Sequence, residues 1–206
     1  MLIWGDLRQM VLLEVGEDNL PDNGLQSINA ALRTLALHWA HSAIWDATVT
    51  GGALLLPHDY LQMHAVRAVT GGKMMMNYKS IPDDTNAGMG WYEWPHGTLQ
   101  FPAYRGDVQV FYYAYYPEIT ADTGDNEIIP IPMWSLKGLL IMASAYLKFQ
   151  DVVSDAMLNQ FNTRLDSGNP EDIPLLVVIK FLRQQYLEEM RMWPKQDRQL
   201  YIGSPR

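Results

Sequence analysis

Cysteine is absent from this chain of 206 residues. Its absence excludes a disulfide framework and any thiolate site, and fits a protein made in a reducing cytoplasm. Long apolar runs are missing as well: none approaches the ~20 residues of a membrane-spanning helix. The opening MLIWGDLRQM lacks the basic start and uncharged middle of a secretory leader, so a soluble, non-secreted protein with no membrane partner is expected. Positive charge is scarce, with 15 Lys and Arg against 23 Asp and Glu, and the net charge of −8 argues against general binding to phosphate backbones. Absent too are Gly-x-Ser-x-Gly, a glycine-rich phosphate loop and His-Glu-x-x-His. The expectation is a protein that is not an enzyme, with no catalytic residue, no metal and no cofactor.

What is present belongs to an ordered globular chain. Hydrophobic residues make up 48%, and a chain of this length buries about 70% of its unfolded surface, so it folds without a staple. Charge is unevenly placed. The first 30 residues hold Asp6, Glu14, Glu17, Asp18 and Asp22 against Arg8 alone, and Glu118, Asp122, Asp125 and Glu127 share one basic-free stretch. From Arg191 onward the sign reverses, with Lys195, Arg198 and Arg206 against Asp197. Acidic edges and a basic tail point to different neighbours.

Hydrophobic period divides the chain into three parts. Residues 2–15 read as a helix closed by Gly16, and Leu25, Ile28, Leu32, Leu35 and Trp39 mark one face of a second helix running to about Ile44. From Thr48 the pattern becomes that of strands, at 53–56, 60–69, 73–79, 91–94, 98–101 and 107–116, with prolines between or at the ends of these runs. The tetrapeptide Val-Thr-Gly-Gly occurs at 49–52 and again at 69–72, and reads as two glycine hairpin turns. Helical period returns after Pro132 with Trp134, Leu139, Met142, Tyr146 and Phe149, followed by a short helix over about 154–165 and a last one from Pro174 with Leu175, Val178, Leu182 and Tyr186. The fold class is therefore α+β: a small helical bundle (1–47 and 121–193), an inserted antiparallel β-sandwich-like domain (48–120) and an extended tail (194–206).

The strand ending in FYYAYY can be read by parity. Val108, Val110, Tyr112, Ala114 and Tyr116 make a continuous apolar face, while Asp107, Gln109, Phe111, Tyr113 and Tyr115 begin wet and end aromatic. Phe111, Tyr113 and Tyr115 are thus expected to pack beneath the bundle or a neighbouring subunit.

Other clusters carry residue types capable of chemistry. His38 and His41 have ligand spacing on a helix but no third ligand, and His58, His64 and His96 lack a Ser or Asp partner. Arg105-Gly106-Asp107 reads as a turn, and Met74-Met75-Met76 as part of a half-buried strand. Trp91, Tyr92 and Trp94 around Glu93 are the best case for sugar binding, as a carbohydrate-binding virion or tail β-sandwich or a cell-wall hydrolase, although the latter needs a second carboxylate. The acidic stretch Glu118, Asp122, Asp125 and Glu127 lacks the spacing of a calcium loop and reads as a surface loop.

Four stretches, in order, resemble the head–tail connector adaptor proteins of tailed bacteriophages: SINAALRTLALHW, LLLPHDYLQMHAVRAV with a Leu-Pro-x-Asp-Tyr signature, GTLQFPAYRGDVQVFYYAYYPEIT, and IPMWSLKGLLIMASAYLKF. The resemblance implies a virion component at the head–tail junction, assembled in the host bacterial cytoplasm. It implies a homo-oligomeric ring, typically of twelve copies, beneath the portal protein, with tail or nozzle proteins below and genomic DNA only passing through the lumen. It also implies that the tail reaches the portal, with Lys195, Arg198, Leu200, Tyr201 and Ile202 as contacts, and that the acidic loop lies at the ring edge or in the lumen.

Overall fold

The computed structural model describes residues 2–21, 23–69, 75–78, 90–94, 97–162 and 174–198. Asp22, Gly71, Gly72, Met74, His96, Leu200, Tyr201, Ile202 and Arg206 lie outside the described residues. The chain divides into two units. One comprises Met1–Trp39 with Tyr116–Lys195, the other Ala40–Tyr115 with Gln196–Arg206. The α+β class holds: the described residues include four helices and sheets that are antiparallel except for one short pairing.

In the first unit a two-residue strand β1 (Leu2–Ile3) leads into α1 (Trp4–Val15), which ends at Gly16 with φ 80°, a left-handed cap that favours glycine. Helix α2 (Gly24–His38) follows, and after the β unit come β9 (Ile128–Ile129), α3 (Leu136–Asn162) and α4 (Pro174–Arg191). Helix α3 packs against α1, α2 and α4, so it is buried on several sides rather than along one stripe. Leu7 and Val11 of α1, Ile28, Leu32 and Leu35 of α2, and Leu139, Ala143 and Leu147 of α3 form the core. Of the separate short helix expected over 154–165, residues 154–162 are the end of α3, which runs unbroken to Asn162; the rest lies outside the described residues.

Helix α2 stops short of Ile44. Trp39 leaves the helical conformation (φ −140°, ψ 97°), its ring edge-on to Trp134 at 5.1 Å and its carbonyl accepting a 2.7 Å hydrogen bond from the Tyr116 hydroxyl. Residues His41–Val49 are instead strand β2. The apolar positions that seemed to extend the helix alternate with a period of two: Ala43, Trp45 and Ala47 pack on the core while Ser42, Ile44, Asp46 and Thr48 are exposed. His38 and His41 therefore sit on different elements and share no helix face.

The β unit faces two sheets onto one core. A three-stranded sheet has the order β2–β8–β4, with β4 Tyr60–Ala68 and β8 Gly106–Ala114. A four-stranded sheet has the order β3–β7–β6–β5, with β3 Ala53–Leu55, β5 Asn77–Tyr78, β6 Gly90–Trp94 and β7 Thr98–Gln100; β5 and β6 run parallel. Val108, Val110, Tyr112 and Ala114 of β8, with Met63 and Val66 of β4, meet Trp91, Leu99 and Phe101 of the other sheet. The even face of the aromatic strand is the core, as its parity indicates.

The first glycine pair is not a hairpin. It passes the chain from β2 to β3, which lie in different sheets. Gly52 has φ 82°, and a Cβ there would stand 2.9 Å from the Arg105 guanidinium, which itself donates to the carbonyls of Phe101 (2.9 Å) and Tyr104 (2.7 Å). Arg105 thus fixes this turn, and Asp107 accepts from Thr48 at 2.7 Å.

Candidate docking surface

The outer face of the three-stranded sheet is set by register. Ser42 faces Tyr113, which faces Gln62; Ile44 faces Phe111, which faces Ala65; Asp46 faces Gln109, which faces Arg67. Along β8 this face runs from exposed Asp107 through half-buried Gln109 and Phe111 to buried Tyr113. Tyr115 is half-buried, and its N–H donates to the Asp59 carbonyl at 2.8 Å.

The start of the C-terminal tail covers Tyr113. The Gln196 side-chain amide accepts from the Ala40 N–H (2.8 Å) and donates to the Ala40 carbonyl (3.0 Å), so one side chain takes the place of a paired strand residue. The Tyr113 hydroxyl donates to the Asp197 carbonyl (3.2 Å), and Gln62 Nε2 donates to the Arg198 carbonyl (3.1 Å). The Arg198 guanidinium stands 5.9 Å from the Tyr113 ring centre and donates to Gln196 Oε1 at 2.9 Å. His64 packs edge-on to the same ring at 5.7 Å. The extended tail expected over 194–206 is described as far as Arg198, and its residues 196–198 lie on the sheet of the same chain. Lys195, just before this strap, is exposed.

Within the helical unit, Trp193 is buried on α3, where a Cβ at Gly138 would come within 2.3 Å of its ring, and it stacks edge-on with Trp134 (5.3 Å) and Tyr186 (5.8 Å). Only a residue without a side chain at 138 lets the indole lie against the helix.

The Leu-Pro-x-Asp-Tyr signature has a local role. The Tyr60 N–H closes a turn on the Pro57 carbonyl (3.1 Å), Tyr60 stacks on Tyr112, and the Tyr112 hydroxyl donates to Asp59 Oδ1 (3.2 Å). Burial, then the Asp59 carboxylate, pushes the Tyr112 phenol up to about 12. The signature therefore pins the end of the aromatic strand.

The acidic loop caps a helix. The carbonyls of Glu127 and Asp125 accept from the free N–H groups of Trp4 and Gly5, both at 2.8 Å, and Arg8 forks onto the Asp125 carboxylate at 3.2 Å. Glu118 lies 3.7 Å from Arg33, and the side chains of Glu118, Asp122, Asp125 and Glu127 are all exposed. Among the described residues no group of three His, Asp or Glu side chains is placed to hold a metal ion.

One ring of the expected aromatic platform is withdrawn from the surface. Trp91 is fully buried in the core, and Glu93 accepts from the Tyr60 hydroxyl at 2.9 Å. A ring buried on all sides offers no face to a sugar, so Trp91 cannot serve as a stacking surface.

Two residues that hold the tail, Gln62 and Gln196, were not singled out from sequence. A lone glutamine in a polar segment carries no signal; its role appears only once the strand edges are known. Strand β2 did carry a signal, in its two-residue alternation.

The family described as SU10 adaptor protein matches residues 3–174 of this chain. No curated protein matches it. The matched region spans the helices, both sheets and the acidic loop, and stops at the start of α4.

Proposed function

The chain belongs to the SU10 adaptor protein family, which makes it a structural adaptor of the phage virion that associates with other virion proteins, and from this premise we propose that it is a head–tail connector. In this reading copies of the chain close into a ring beneath the portal protein, tail or nozzle proteins attach below, and DNA passes through the lumen. The single observation that carries the reading is the family match across residues 3–174.

Physical features support it. A net charge of −8 lets a channel wall pass DNA without ion-pairing to its phosphates. Exposed Leu37, Phe181, Leu187 and Met192 leave apolar surface for subunit contacts. Exposed Glu118, Asp122 and Glu127 belong at a ring edge or in the lumen, whereas Asp125 is engaged with Arg8. The tail supplies the portal contact, with Lys195 steering the approach and Leu200, Tyr201 and Ile202 as apolar anchors. Arg198 joins them after leaving Tyr113.

The test is the mass of the purified protein alone and with portal, together with negative-stain images. A ring that binds portal is expected. Deleting residues 199–206 spares the residues that hold Tyr113, and should leave the fold intact while abolishing portal binding. A monomer with portal, or unchanged binding by the truncated chain, overturns the ring or the tail assignment respectively.

A further inference from the structure

Strand β2 lies at the edge of its sheet, and register fixes which of its backbone groups face outward. At one end of β8 the Asp107 carbonyl accepts from the Val69 N–H; just past the other end the Tyr115 N–H donates to the Asp59 carbonyl, both at 2.8 Å. Odd residues of β8 therefore turn their backbone groups toward β4, and even residues turn theirs toward β2. The β2 partners of those even residues are His41, Ala43, Trp45 and Ala47, whose N–H and C=O groups are spent on the ladder. Ser42, Ile44, Asp46 and Thr48 point theirs the other way, off the sheet. Ala40 does the same, and there the Gln196 amide takes both groups. Past that rung the strap turns across Tyr113 to Gln62 and leaves the edge.

Among the described residues no backbone bond reaches Ser42, Ile44, Asp46 or Thr48 from outside the sheet. Burial agrees. Val108 and Val110 in the middle strand are fully buried, whereas Ala43, Trp45 and Ala47, on the same core face of β2, are only half-buried. Natural edge strands are blunted by proline, lysine or a bulge. The nine residues of β2 contain neither Pro nor Lys and keep one register with β8 throughout. The opposite edge, β4, is bulged and is bridged by Met75 and Met76.

We propose that the outer edge of β2 is a docking site for one extended segment of another protein, which adds to the sheet as a further strand along residues 42–48. The ladder supplies affinity, and the exposed side chains select the segment. Ile44, 62% exposed, matches an apolar neighbour. Asp46 is exposed and has no ion pair among the described residues, and exposed Asp107 lies in the next row, bonded to Thr48. Arg67, the cation in the Asp46 row, is two strands away over the Phe111 ring. The segment that fits therefore carries an apolar residue opposite Ile44 and Lys or Arg opposite Asp46. A second copy fits less well. Its edges β2, β3 and β5 contain neither Lys nor Arg, and Arg67 of β4 stands where Met75 bridges that edge. The edge is open in the single chain, so docking requires no ring.

The test uses the full chain and a soluble peptide of about ten residues that alternates Thr with Val and carries one Lys two positions from its central Val. Amide exchange is read residue by residue by NMR. In the free chain the N–H groups of Ser42, Ile44, Asp46 and Thr48 should exchange about a hundredfold faster than those of Ala43, Trp45 and Ala47. Saturating peptide should slow these four. Replacing the peptide's Lys by Glu should weaken binding about fivefold with no change to the protein, and Asp46→Lys should restore the Glu peptide. Slow exchange of the four groups in the free chain overturns the proposal, because the edge is then already covered. Slowing that grows with the concentration of the chain alone also overturns it, because the occupant is then a second copy. So does a peptide that fails to bind, leaves the four groups fast or ignores the change of charge.

Discussion

The Gln196 side chain holds both backbone groups of Ala40, at 2.8 and 3.0 Å, although 156 positions separate the two residues. The same device recurs in the helical unit, where the Asn29 amide donates to the Ile119 carbonyl (2.8 Å) and accepts from its N–H (2.9 Å). In each case a side-chain amide satisfies a lone backbone segment that no strand or helix pairs. Such bonds are worth about 1 kcal/mol each in net terms, and more when their loss strands a buried group.

Gln196→Ala is therefore expected to release residues 196–198 from the sheet while lowering global stability by no more than about 2 kcal/mol. Limited proteolysis is the measurement: cleavage at Lys195 and Arg198 should become faster, with little change in the unfolding midpoint. Unchanged cleavage would mean that the strap does not rely on this clamp.

Gly138→Ala should destabilise the helical unit by about 1–3 kcal/mol, because the new methyl forces the Trp193 ring from its seat. Denaturant unfolding gives the magnitude, and tryptophan emission should shift red as Trp193 meets water. A neutral outcome would show that the indole does not lie on this face.

Two tyrosines should behave oppositely on losing their hydroxyls. Tyr112→Phe leaves Asp59 without its donor and is expected to cost about 1 kcal/mol. The buried Tyr186 hydroxyl has no hydrogen-bond partner among the described residues, so Tyr186→Phe is expected to be neutral or to stabilise by about 1 kcal/mol. Paired thermal melts decide both.

Alkaline pH should weaken the fold through the same two residues. Burial comes first for each; the Asp59 carboxylate adds to it for Tyr112 and Tyr146 for Tyr186, and both phenols rise from 10.0 to about 12. Between these values the unfolded chain has released the protons and the folded chain still holds them. Stability is thus fully present below pH 10 and falls as pH rises toward about 12. The part of the phenolate absorbance that appears only as the chain unfolds should shrink in Tyr112→Phe and in Tyr186→Phe. An unchanged late component in both variants would contradict the assignment.

Asp125→Ala removes an exposed fork with Arg8 and should cost less than about 1 kcal/mol, since the backbone carbonyls that cap α1 remain. Added calcium should leave the melting temperature of the wild-type chain unchanged. A calcium-dependent rise abolished by the substitution would reassign the loop.

Much of the fold was legible because period and punctuation coincide. Gly16 ends α1, Pro132 and Pro174 precede helical segments, and the parity of Val108 to Tyr116 gives the core face of β8 directly. Strand β2 was hidden because Ala40, Ala43 and Ile44 continue an apolar series that suits either period. What decides it is tertiary, since Trp39 is taken by Trp134 and Tyr116 before the helix can go on. The turn at Gly51 and Gly52 was legible as a turn, but which strands it joins depends on sheet order. The cover on Tyr113 was expected from the aromatic run; its source, a glutamine clamp in the tail, has no local signature.

Tyr116 bonds to the carbonyl of Trp39 at 2.7 Å, and these are the residues at which the helical unit releases the chain and receives it back. The bond joins positions 77 apart in sequence, so the helical unit is closed on itself where the chain first leaves it and first returns. Removing the Tyr116 hydroxyl would leave the end of α2 held there by the Trp39–Trp134 ring contact.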